Sequence, residues 1–493
     1  MPPSIRRFVR FIRLCCIIEA VLVNALHANS QSEQPVSRYQ AIWVDAFNPG
    51  SATPEQTERM VAIARKHHIN TIFFQVCKTG DALYESKLAP KAKGLPAGYD
   101  PLKHVLALAH DTTGGKQRIE VHAWLTLFRV STSSALRAGN ALKSHPDWRM
   151  ISYSGAKSFD NGQLYIDPGV PAVHDHYVEI VRELLRNYPV DGVHLDRIRY
   201  PAADAGYNAV ALERFIQQYR RTDKPKPDDP QFSDFRRRQI SDLVRRLYAE
   251  CKRSRPHVRM SASVATFGAY SDQFEETPCY KLFYQDWPQW LRNGWLDMCC
   301  PMIYKRYSVK QQQQDYKAWL AFCATQANKR HLIVGQGAYL CELAGSLHQI
   351  EQALKTSGVD GVSIYSYANP CRKGACDADT ALARIVKAGL FDPAGVPRMS
   401  WVDQPSYGII TGTAICDKRP LDGARVLIRH GEQIWTTHTD GNGYFAVMNR
   451  IPGEYRISID GLEGKTIRPA TVRLLPGQVQ YISMPAKTQT VQQ

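Results

Sequence analysis

Hydrophobic and polar positions follow two alternating periods along most of the chain. Short apolar runs rich in β-branched and aromatic residues, typical of buried strands, alternate with longer segments that have the apolar periodicity of amphipathic helices. Eight such pairs predict an α/β fold, a parallel (β/α)8 TIM barrel, rather than an open sheet. The predicted strands are Ala41–Ala46, Thr71–Val76, Ile119–Leu125, Gly192–Asp196, Arg259–Ala265, Leu296–Tyr304, Leu332–Gly337 and Gly361–Tyr367, and the predicted helices are 55–67, 101–111, 172–187, 234–254, 283–293, 311–327, 346–357 and 378–389.

The pattern changes after Pro397. Short strands separated by glycine-containing turns fill residues 405–486, which predicts a small antiparallel β-sandwich behind a barrel that spans 38–395. The Gln- and Thr-rich residues 487–493 are predicted to form a disordered tail. Long insertions follow several predicted strands, and in a barrel such loops build the substrate cleft.

The segment from Asp191 to Pro201 is the most informative motif. It predicts a short strand in which His194 and Asp196 share one face, while Val193 and Leu195 share the other. An apolar face toward the helices and an acid at the carboxyl end of the strand is how a parallel barrel presents a catalytic group. The alternative is that Asp196 caps the loop that follows it.

The carboxyl ends of the other predicted strands carry further acids, aromatic rings and hydrogen-bonding groups. Gathered at one barrel mouth, such groups suit a sugar, because rings stack on its C–H faces and polar groups bind its hydroxyls. Glycosidic cleavage needs two carboxyl groups flanking the scissile bond. Asp196 is therefore the first catalytic candidate, and Asp286 and Asp45 compete for the second role. The substrate-binding candidates are Trp43, Gln75, Asp81, His122, Trp124, Arg129, His194, Tyr200, Trp287, Tyr304 and Tyr365.

Several of these candidates also have a purely structural interpretation. Buried core packing is the commoner position of a Trp, and His122 and His194 could be hydrogen-bonded interior histidines. Asp286 precedes a helix-like run and could be its N-cap. Asp81, between Gly80 and Ala82, could only shape a turn.

The first 30 residues have the layout of a secretory signal peptide. Four Arg precede a hydrophobic run from Leu14 to Val23, which is followed by small residues at Ala28-Asn-Ser30. This pattern predicts a secreted or periplasmic protein, and an uncleaved membrane anchor is the alternative because Glu19 interrupts the run. Export would permit disulfides, and Cys371 with Cys376 forms the best local pair.

The net charge of +16 indicates an anionic neighbourhood. The leader holds four Arg and one Glu, so a charge of about +13 remains without it. A cell-envelope polymer, lipid head groups or an acidic glycan would provide such a neighbourhood, besides a polysaccharide substrate. For the basic runs themselves, a solvated surface is the favoured interpretation. No nucleic-acid-binding motif accompanies the scattered Lys and Arg, and no cysteine or histidine spacing suggests a structural metal.

Ordered motifs in residues 38–390 resemble the glycosyl-hydrolase-like 10 family of exported bacterial TIM-barrel proteins. The resemblance implies glycoside hydrolase activity, in some members on envelope glycans such as peptidoglycan, with Asp196 as the catalytic candidate. The motifs are Ala41-Ile-Trp-Val44, Gln75-Val-Cys-Lys-Thr-Gly-Asp-Ala-Leu-Tyr84, Asp100-Pro-Leu102, Val121-His-Ala-Trp124, Asp167-Pro-Gly169, Asp191-Gly-Val-His-Leu-Asp196 with Tyr200-Pro201, and 297–304.

The chain departs from the family pattern at two places. Arg197 stands where members often have a second Asp, and Cys77-Lys78-Thr79 where they often have an Arg. Gln336 lies near the end of the seventh strand, so the mechanism of barrels with glutamates on strands four and seven is not carried over. Residues 439–455 are similar to carboxypeptidase-regulatory-like sandwich domains, which implies an accessory or adhesive module.

We therefore expect an exported glycoside hydrolase that uses paired carboxyl chemistry and no cofactor. The alternative from another class is a catalytically silent glycan-binding protein of the envelope. Esterase or deacetylase activity would need a nucleophile elbow or a metal-ligand cluster, and the sequence contains neither motif. The sugar, the linkage, the stereochemical outcome and the oligomeric state stay open at this point.

Overall fold

The computed structural model describes residues 37–132, 135–460 and 465–488. Its larger part is a closed barrel of parallel strands in which each strand pairs with its neighbours in the sequence and the first closes on the eighth. The predicted (β/α)8 TIM barrel is confirmed, with small shifts at the strand ends. The strands are Tyr39–Val44, Thr71–Cys77, Glu120–Thr126, Gly192–Asp196, Arg259–Ala265, Met298–Met302, His331–Gln336 and Gly361–Ile364.

Helices cover the outside of the barrel, and several begin at a proline behind a polar cap. The Asp100 side chain, for example, accepts a hydrogen bond from the Lys103 amide at 2.9 Å, and Pro101 begins the helix. Proline suits this position because its fixed φ is helical and its missing N–H would have no partner there. The helices are Pro54–Lys66, Pro101–His110, Ala141–Ser144, Pro171–Asn187, Ala209–Tyr219, Pro230–Ser254, Pro278–Lys281, Trp287–Arg292, Lys310–Gln326, Leu343–Lys355, Ala378–Lys387 and Ser400–Asp403.

Two insertions contain elements that the hydrophobic pattern did not predict. Arg129–Thr132 forms an antiparallel pair with Gln163–Tyr165 after the third barrel strand, and the helix Ala209–Tyr219 follows the fourth strand. The two strands have only four and three residues, which is too few alternating positions for a hydrophobic period to be recognised. The hairpin brings Arg129 to the barrel mouth.

Side chains alternate between an inner and an outer core. Val193 and Leu195 are fully buried in the outer cluster between the barrel and its helices. Cys299 packs in that outer cluster, whereas its neighbour Cys300 packs in the inner one, as expected for adjacent residues of a strand. The inner cluster contains Tyr39, Ala41, Trp43, Phe73, Trp124, Met298, Cys300, Ile333, Met399 and Val402.

Two β-sheets follow the barrel and share a hydrophobic cluster that includes Ile410, Ile428 and Tyr455. The expected antiparallel pairing is corrected at one place, because the first and last strands of this region run parallel to each other. One sheet contains Gly408–Cys416, Arg419–Pro420, Tyr444–Arg450, Lys465–Ile467 and Val479–Thr488, and the other contains Arg425–His430, Gln433–His438, Gly453–Asp460 and Ala470–Leu474. Residues 487 and 488 of the predicted tail belong to the last strand, and 489–493 lie outside the described residues.

Polar contacts join these sheets to the barrel helices. Arg214 forms an ion pair with Asp422 at 2.7 Å and also donates to the carbonyl of Gly169. The Asn442 side chain donates to the carbonyl of Pro171 at 2.9 Å. The C-terminal sheets are therefore held against the barrel by contacts on the side of the Pro171–Asn187 helix.

The sequence also predicts a signal peptide and a disulfide. The predicted signal peptide, residues 1–30, lies outside the described residues. Within the part that the structure describes, no helix has both the length and the apolar character needed to cross a bilayer. The predicted disulfide between Cys371 and Cys376 is present.

Candidate active site

A cavity of about 420 Å³ opens at the carboxyl ends of the barrel strands. Every barrel strand, or the loop directly after it, contributes to its wall, as expected for the functional face of this fold. Seven of the sequence-predicted candidates line it: Trp43, Gln75, Trp124, Arg129, Asp196, Tyr304 and Tyr365. The remaining lining residues are Phe47, Thr126, Arg197, Arg199, Ser263, Phe267, Met302 and Tyr339.

Asp196 ends the fourth strand at this cavity. Its Oδ2 accepts a hydrogen bond from Trp124 Nε1 at 3.2 Å, and its Oδ1 accepts one from the Arg197 amide at 2.7 Å. Arg197 has a φ of 50°, in the left-handed region, so the chain turns sharply directly after the acid. The carboxylate is thus held in one orientation by two donors and is only partly buried.

Asp45 follows the first strand and lies deeper. It is 3% exposed, and its Oδ1 accepts from the Phe47 amide at 3.1 Å and from Asn48 Nδ2 at 2.7 Å. Its Oδ2 is buried without a hydrogen-bond partner among the described residues. Burial first, and then the negative charges of Asp45 and Asp196, raise the pKa of Tyr365. Both carboxylates therefore lie within electrostatic range of the Tyr365 hydroxyl.

Aromatic rings form one wall of the cavity. Tyr304 stacks on Tyr365 with 5.6 Å between the ring centroids, and Tyr339 meets Tyr365 edge-on at 5.8 Å. Trp43 and Trp124 approach Tyr365 at 6.1 Å and 6.4 Å. Rings in such numbers around one carboxylate provide the apolar faces on which a pyranose ring stacks.

His194 lies beneath this wall in the barrel interior. It accepts a hydrogen bond at Nε2 from Trp43 Nε1, at 3.1 Å, and its Nδ1 lies 2.7 Å from Ser261 Oγ. Because an indole N–H only donates, Nε2 must be unprotonated, so the proton is on Nδ1. Burial also lowers the pKa of His194 well below its usual value. The neutral histidine positions Trp43 from below and does not line the cavity.

Gln75 lines the cavity but both ends of its amide are engaged. Oε1 accepts from the Ala46 amide at 2.8 Å, and Nε2 donates to Thr126 Oγ1 at 2.9 Å. The side chain thereby ties together the ends of the first, second and third strands. Its geometry favours positioning of the mouth over direct hydrogen bonding to a ligand.

The structure does not bring Asp286 or Trp287 to this cavity. Asp286 is the N-cap of the Trp287–Arg292 helix and accepts from the Gln289 amide at 3.2 Å, on a separate surface hollow. Trp287 is fully buried in the outer core and donates to the carbonyl of Ala265. The helix begins where the acid can cap it, so local backbone requirements account for both residues.

Three further candidates also lie outside the cavity lining. The Asp81 carboxylate accepts from the Lys78 and Thr79 amides at 3.1 Å and 3.0 Å, which shapes the turn that contains it. His122 is buried near the amino end of the third strand, with Nε2 at 3.3 Å from Glu120. Tyr200 is fully buried and donates to Asp167.

The cavity residues that sequence reasoning missed come mainly from loops. Phe47 and Tyr339 follow the first and seventh strands, and Phe267 follows the fifth. Arg199 lies in the Asp191–Pro201 motif, only three residues after Asp196, and this closeness in the sequence could have indicated that it belongs to the site. Loop residues have no periodic pattern, and only the folded loop defines their direction.

Asp167 is a fully buried acid in the insertion after the third barrel strand and gives a prediction on pH dependence. Burial raises its pKa from 3.8 to about 6, although the Gly169 amide and the Tyr200 hydroxyl donate to it and act in the opposite direction. A raised folded-state pKa means that stability is fully present below the unfolded pKa and is lost as the pH rises through the folded one.

We expect Asp167→Asn to become more stable relative to the parent protein as the pH rises from 4 to 7. Between these two pH values, the difference in the free energy of unfolding between variant and parent should change by about 2 kcal/mol, because each pKa unit corresponds to about 1.4 kcal/mol. Denaturant unfolding at both pH values measures it. Asp228→Asn, at an exposed position, is the control. A difference that does not depend on pH would contradict the prediction.

The fold and the site together define a class: a TIM barrel of the glycosidase-like type, with an acid and aromatic rings at its carboxyl mouth. The chain belongs to the glycosyl hydrolase-like 10 family, whose model matches residues 37–349. Within the part that the structure describes, no group of His, Cys, Asp or Glu side chains is arranged to hold a metal ion.

Relatives and solved structures agree with this classification. Glycosyl hydrolase YngK of Bacillus subtilis is 25% identical over 365 residues, covering 68% of this chain and 66% of that protein. Glycosyl hydrolase DigH of Escherichia coli K12 is 28% identical over 325 residues, covering 60% of this chain and 69% of that protein. The chain thus spans about two thirds of the length of these curated relatives.

Two structures of similar fold are much more distant in sequence. The glycoside hydrolase domain of PgaB (BpsB) from Bordetella bronchiseptica superposes with a TM-score of 0.54 at 14% identity, over 74% of this chain and 100% of that domain. The catalytic domain of beta-amylase from Paenibacillus polymyxa gives a TM-score of 0.51 at 12% identity, over 72% of this chain and 99% of that domain. At these identities the likeness concerns the fold alone.

Proposed function

We propose that this protein is an exported glycoside hydrolase that cleaves O-glycosidic bonds in a polysaccharide of the cell envelope. One observation carries the proposal: Asp196 lies in an aromatic-lined cavity, and its charge and that of the buried Asp45 both raise the pKa of Tyr365, which lines the same cavity. Glycosidic cleavage requires a pair of carboxyl groups at a site that can stack a sugar ring. Family membership and the names of the relatives, both glycosyl hydrolases, support the same activity.

Asp196 is proposed as the first catalytic carboxyl group. The N–H groups of Trp124 and Arg197 hold it in one orientation, which nucleophilic or acid–base chemistry requires. Asp45 is proposed as the second carboxyl group, since its Oδ2 is free of partners among the described residues. Tyr365, whose pKa both carboxylates raise, is proposed to stabilise the charge that develops on the sugar.

A second candidate function is binding of a glycan without cleavage. The observation that favours it is the depth of Asp45, which is 3% exposed and does not line the cavity. A carboxyl group that cannot reach the scissile bond leaves only one catalytic acid, and the aromatic wall would then serve recognition alone.

The two functions are separated by measuring new reducing ends from peptidoglycan glycan strands, chitin and other common polysaccharides. We expect release by the parent protein and a loss of about 10²- to 10⁴-fold in Asp45→Asn. Asp286→Asn is the matched control, because Asn also caps a helix and Asp286 lies outside the cavity. Glycan binding without any release of reducing ends would favour the silent binding protein.

A further inference from the structure

Three arginines surround the cavity and none of them is neutralised by an ion pair. Arg129, Arg197 and Arg199 line the cavity together with Asp196, and among the described residues no other carboxylate lines it. Within the part of the chain that the structure describes, none of the three forms a salt bridge with an acid. Guanidinium groups that are partly removed from water are normally paired, because an unpaired charge is costly to bury.

Two of these arginines have buried N–H groups without a partner. Arg199 Nη1 and Arg129 Nε are buried and make no hydrogen bond to any described residue. The guanidinium of Arg129 makes one hydrogen bond, from Nη2 to the Lys78 carbonyl at 3.2 Å. Most guanidinium N–H groups of these arginines therefore have no partner among the described residues, whereas the Gln75 amide in the same cavity is hydrogen-bonded at both ends.

Aromatic rings account for part of the environment of these arginines. Arg129 lies over the Phe47 ring at 5.3 Å, and Arg199 lies over Phe267 at 5.2 Å. A ring contacts the flat face of a guanidinium and stabilises its charge, but it leaves the N–H groups in the guanidinium plane unsatisfied. The rings hold both groups in place while their donors stay available.

The charges of these arginines also act on one another. Burial, and then the positive charge of Arg197, lower the pKa of Arg129; burial is also the largest cause of the lowered pKa of Arg199. The charge of Asp196 acts in the opposite direction on Arg129 and Arg199, but it is one carboxylate beside three guanidinium groups. An anion that binds between the arginines would relieve the remaining repulsion.

We propose that Arg129, Arg197 and Arg199 form a subsite for an oxyanion carried by the substrate, so that the glycan is acidic and bears a carboxylate or sulfate group close to the cleaved bond. This inference rests on the proposed function of the cavity. Guanidinium forks match the two oxygens of such groups, and this recognition is stronger than a neutral hydrogen bond. Arg197 also follows Asp196 directly, so the oxyanion would be bound beside the catalytic carboxylate.

The test is calorimetric binding of three tetrasaccharides to the Asp196→Asn variant, which prevents turnover. The ligands are neutral chitin tetrasaccharide, the same compound 6-O-sulfated, and hyaluronan tetrasaccharide, which carries carboxylates. We expect at least one acidic ligand to bind about 10-fold or more tightly than the neutral one, because charge-assisted hydrogen bonds are roughly twice as strong as neutral ones. The sulfated and carboxylated ligands distinguish the two sources of the oxyanion.

Arg197→Gln, added to Asp196→Asn, should remove this preference, so that the acidic and neutral ligands bind with similar affinity. Arg473→Gln, an equal charge change at an exposed position of the C-terminal sheets, should have no effect. Arg197→Lys should restore part of the preference if charge matters, and thermal unfolding checks that each variant is folded. The subsite is ruled out if the acidic ligands bind no better than the neutral one, or bind equally well after Arg197→Gln.

The outcomes separate this inference from the proposed hydrolysis. Asp196-dependent cleavage of neutral glycans without any preference for acidic ones would overturn the subsite and support the hydrolase. Binding of acidic glycans that depends on Arg197, without cleavage of any glycan by the parent protein, would support the subsite and overturn the hydrolase.

Discussion

Asp196→Asn is expected to lower the rate of glycan cleavage by about 10³-fold or more while the thermal midpoint stays close to that of the parent protein. The amide has nearly the same shape as the carboxylate, and its oxygen can still accept a hydrogen bond from the Arg197 amide. Because Asp196 is only partly buried at the end of its strand, few packing contacts depend on its charge. The measurement is release of reducing ends together with thermal unfolding.

Trp124→Phe provides a graded companion to this variant. It keeps an aromatic ring in the wall but removes the N–H group that donates to Asp196 Oδ2. We expect a loss of roughly 10- to 100-fold, since one hydrogen bond to a charged group contributes about 1.5–3 kcal/mol. Full activity of Asp196→Asn would exclude the carboxylate from the chemistry, whereas a large fall in its thermal midpoint would assign it a structural role.

Asp297→Ala is expected to have the largest effect on stability, a loss of about 3 to 5 kcal/mol in the free energy of unfolding. Asp297 is fully buried directly before the sixth strand, at the amino end of the barrel. Lys252 lies at 2.8 Å from it, and Tyr248 and Trp401 donate to it at 3.0 Å and 2.9 Å. Burial raises its pKa, but Lys252 and Arg330 outweigh burial, so the pKa is lowered overall.

The effect of Asp297→Ala follows from the lysine and arginine that it leaves buried without a partner. The comparison variant is Asp460→Ala, which removes an exposed ion pair with Arg425 and should cost at most about 1 kcal/mol. Urea unfolding measures both. Equal small losses in the two variants would show that the buried ion pair contributes nothing beyond a surface one. The amino face of the barrel would then need another source of stability.

The barrel strands could be predicted because each is buried on both faces and reads as a continuous apolar run. The end of such a run also indicates the carboxyl end of the strand, so the sequence predicts Asp196, Trp124 and Tyr365 at the mouth, and all three line the cavity. Position along the strand was harder to predict. His122 and His194 both point into the barrel, yet His122 lies near the amino end of its strand and His194 directly under Trp43.

The second carboxyl group illustrates the limit of the sequence. Asp45 and Asp286 both lie close to the end of a barrel strand or in the loop that follows it. The two loops run in different directions. Asp286 caps the N-terminus of a helix, whereas Asp45 is buried and accepts a hydrogen bond from the Phe47 amide. A loop direction depends on contacts with distant parts of the chain, which local periodicity does not record.

The sequence by itself determined the (β/α)8 architecture, the position of Asp196 at a strand end and the aromatic character of the mouth, because burial and side-chain alternation are local properties of each strand. Only the tertiary structure decided which loop residues join them. It brought Phe267 from the loop after the fifth strand and Arg199 from the loop after the fourth strand to the cavity, and it turned Asp286 away. Closure of the barrel sets these distances, since it joins strands that lie far apart in the sequence.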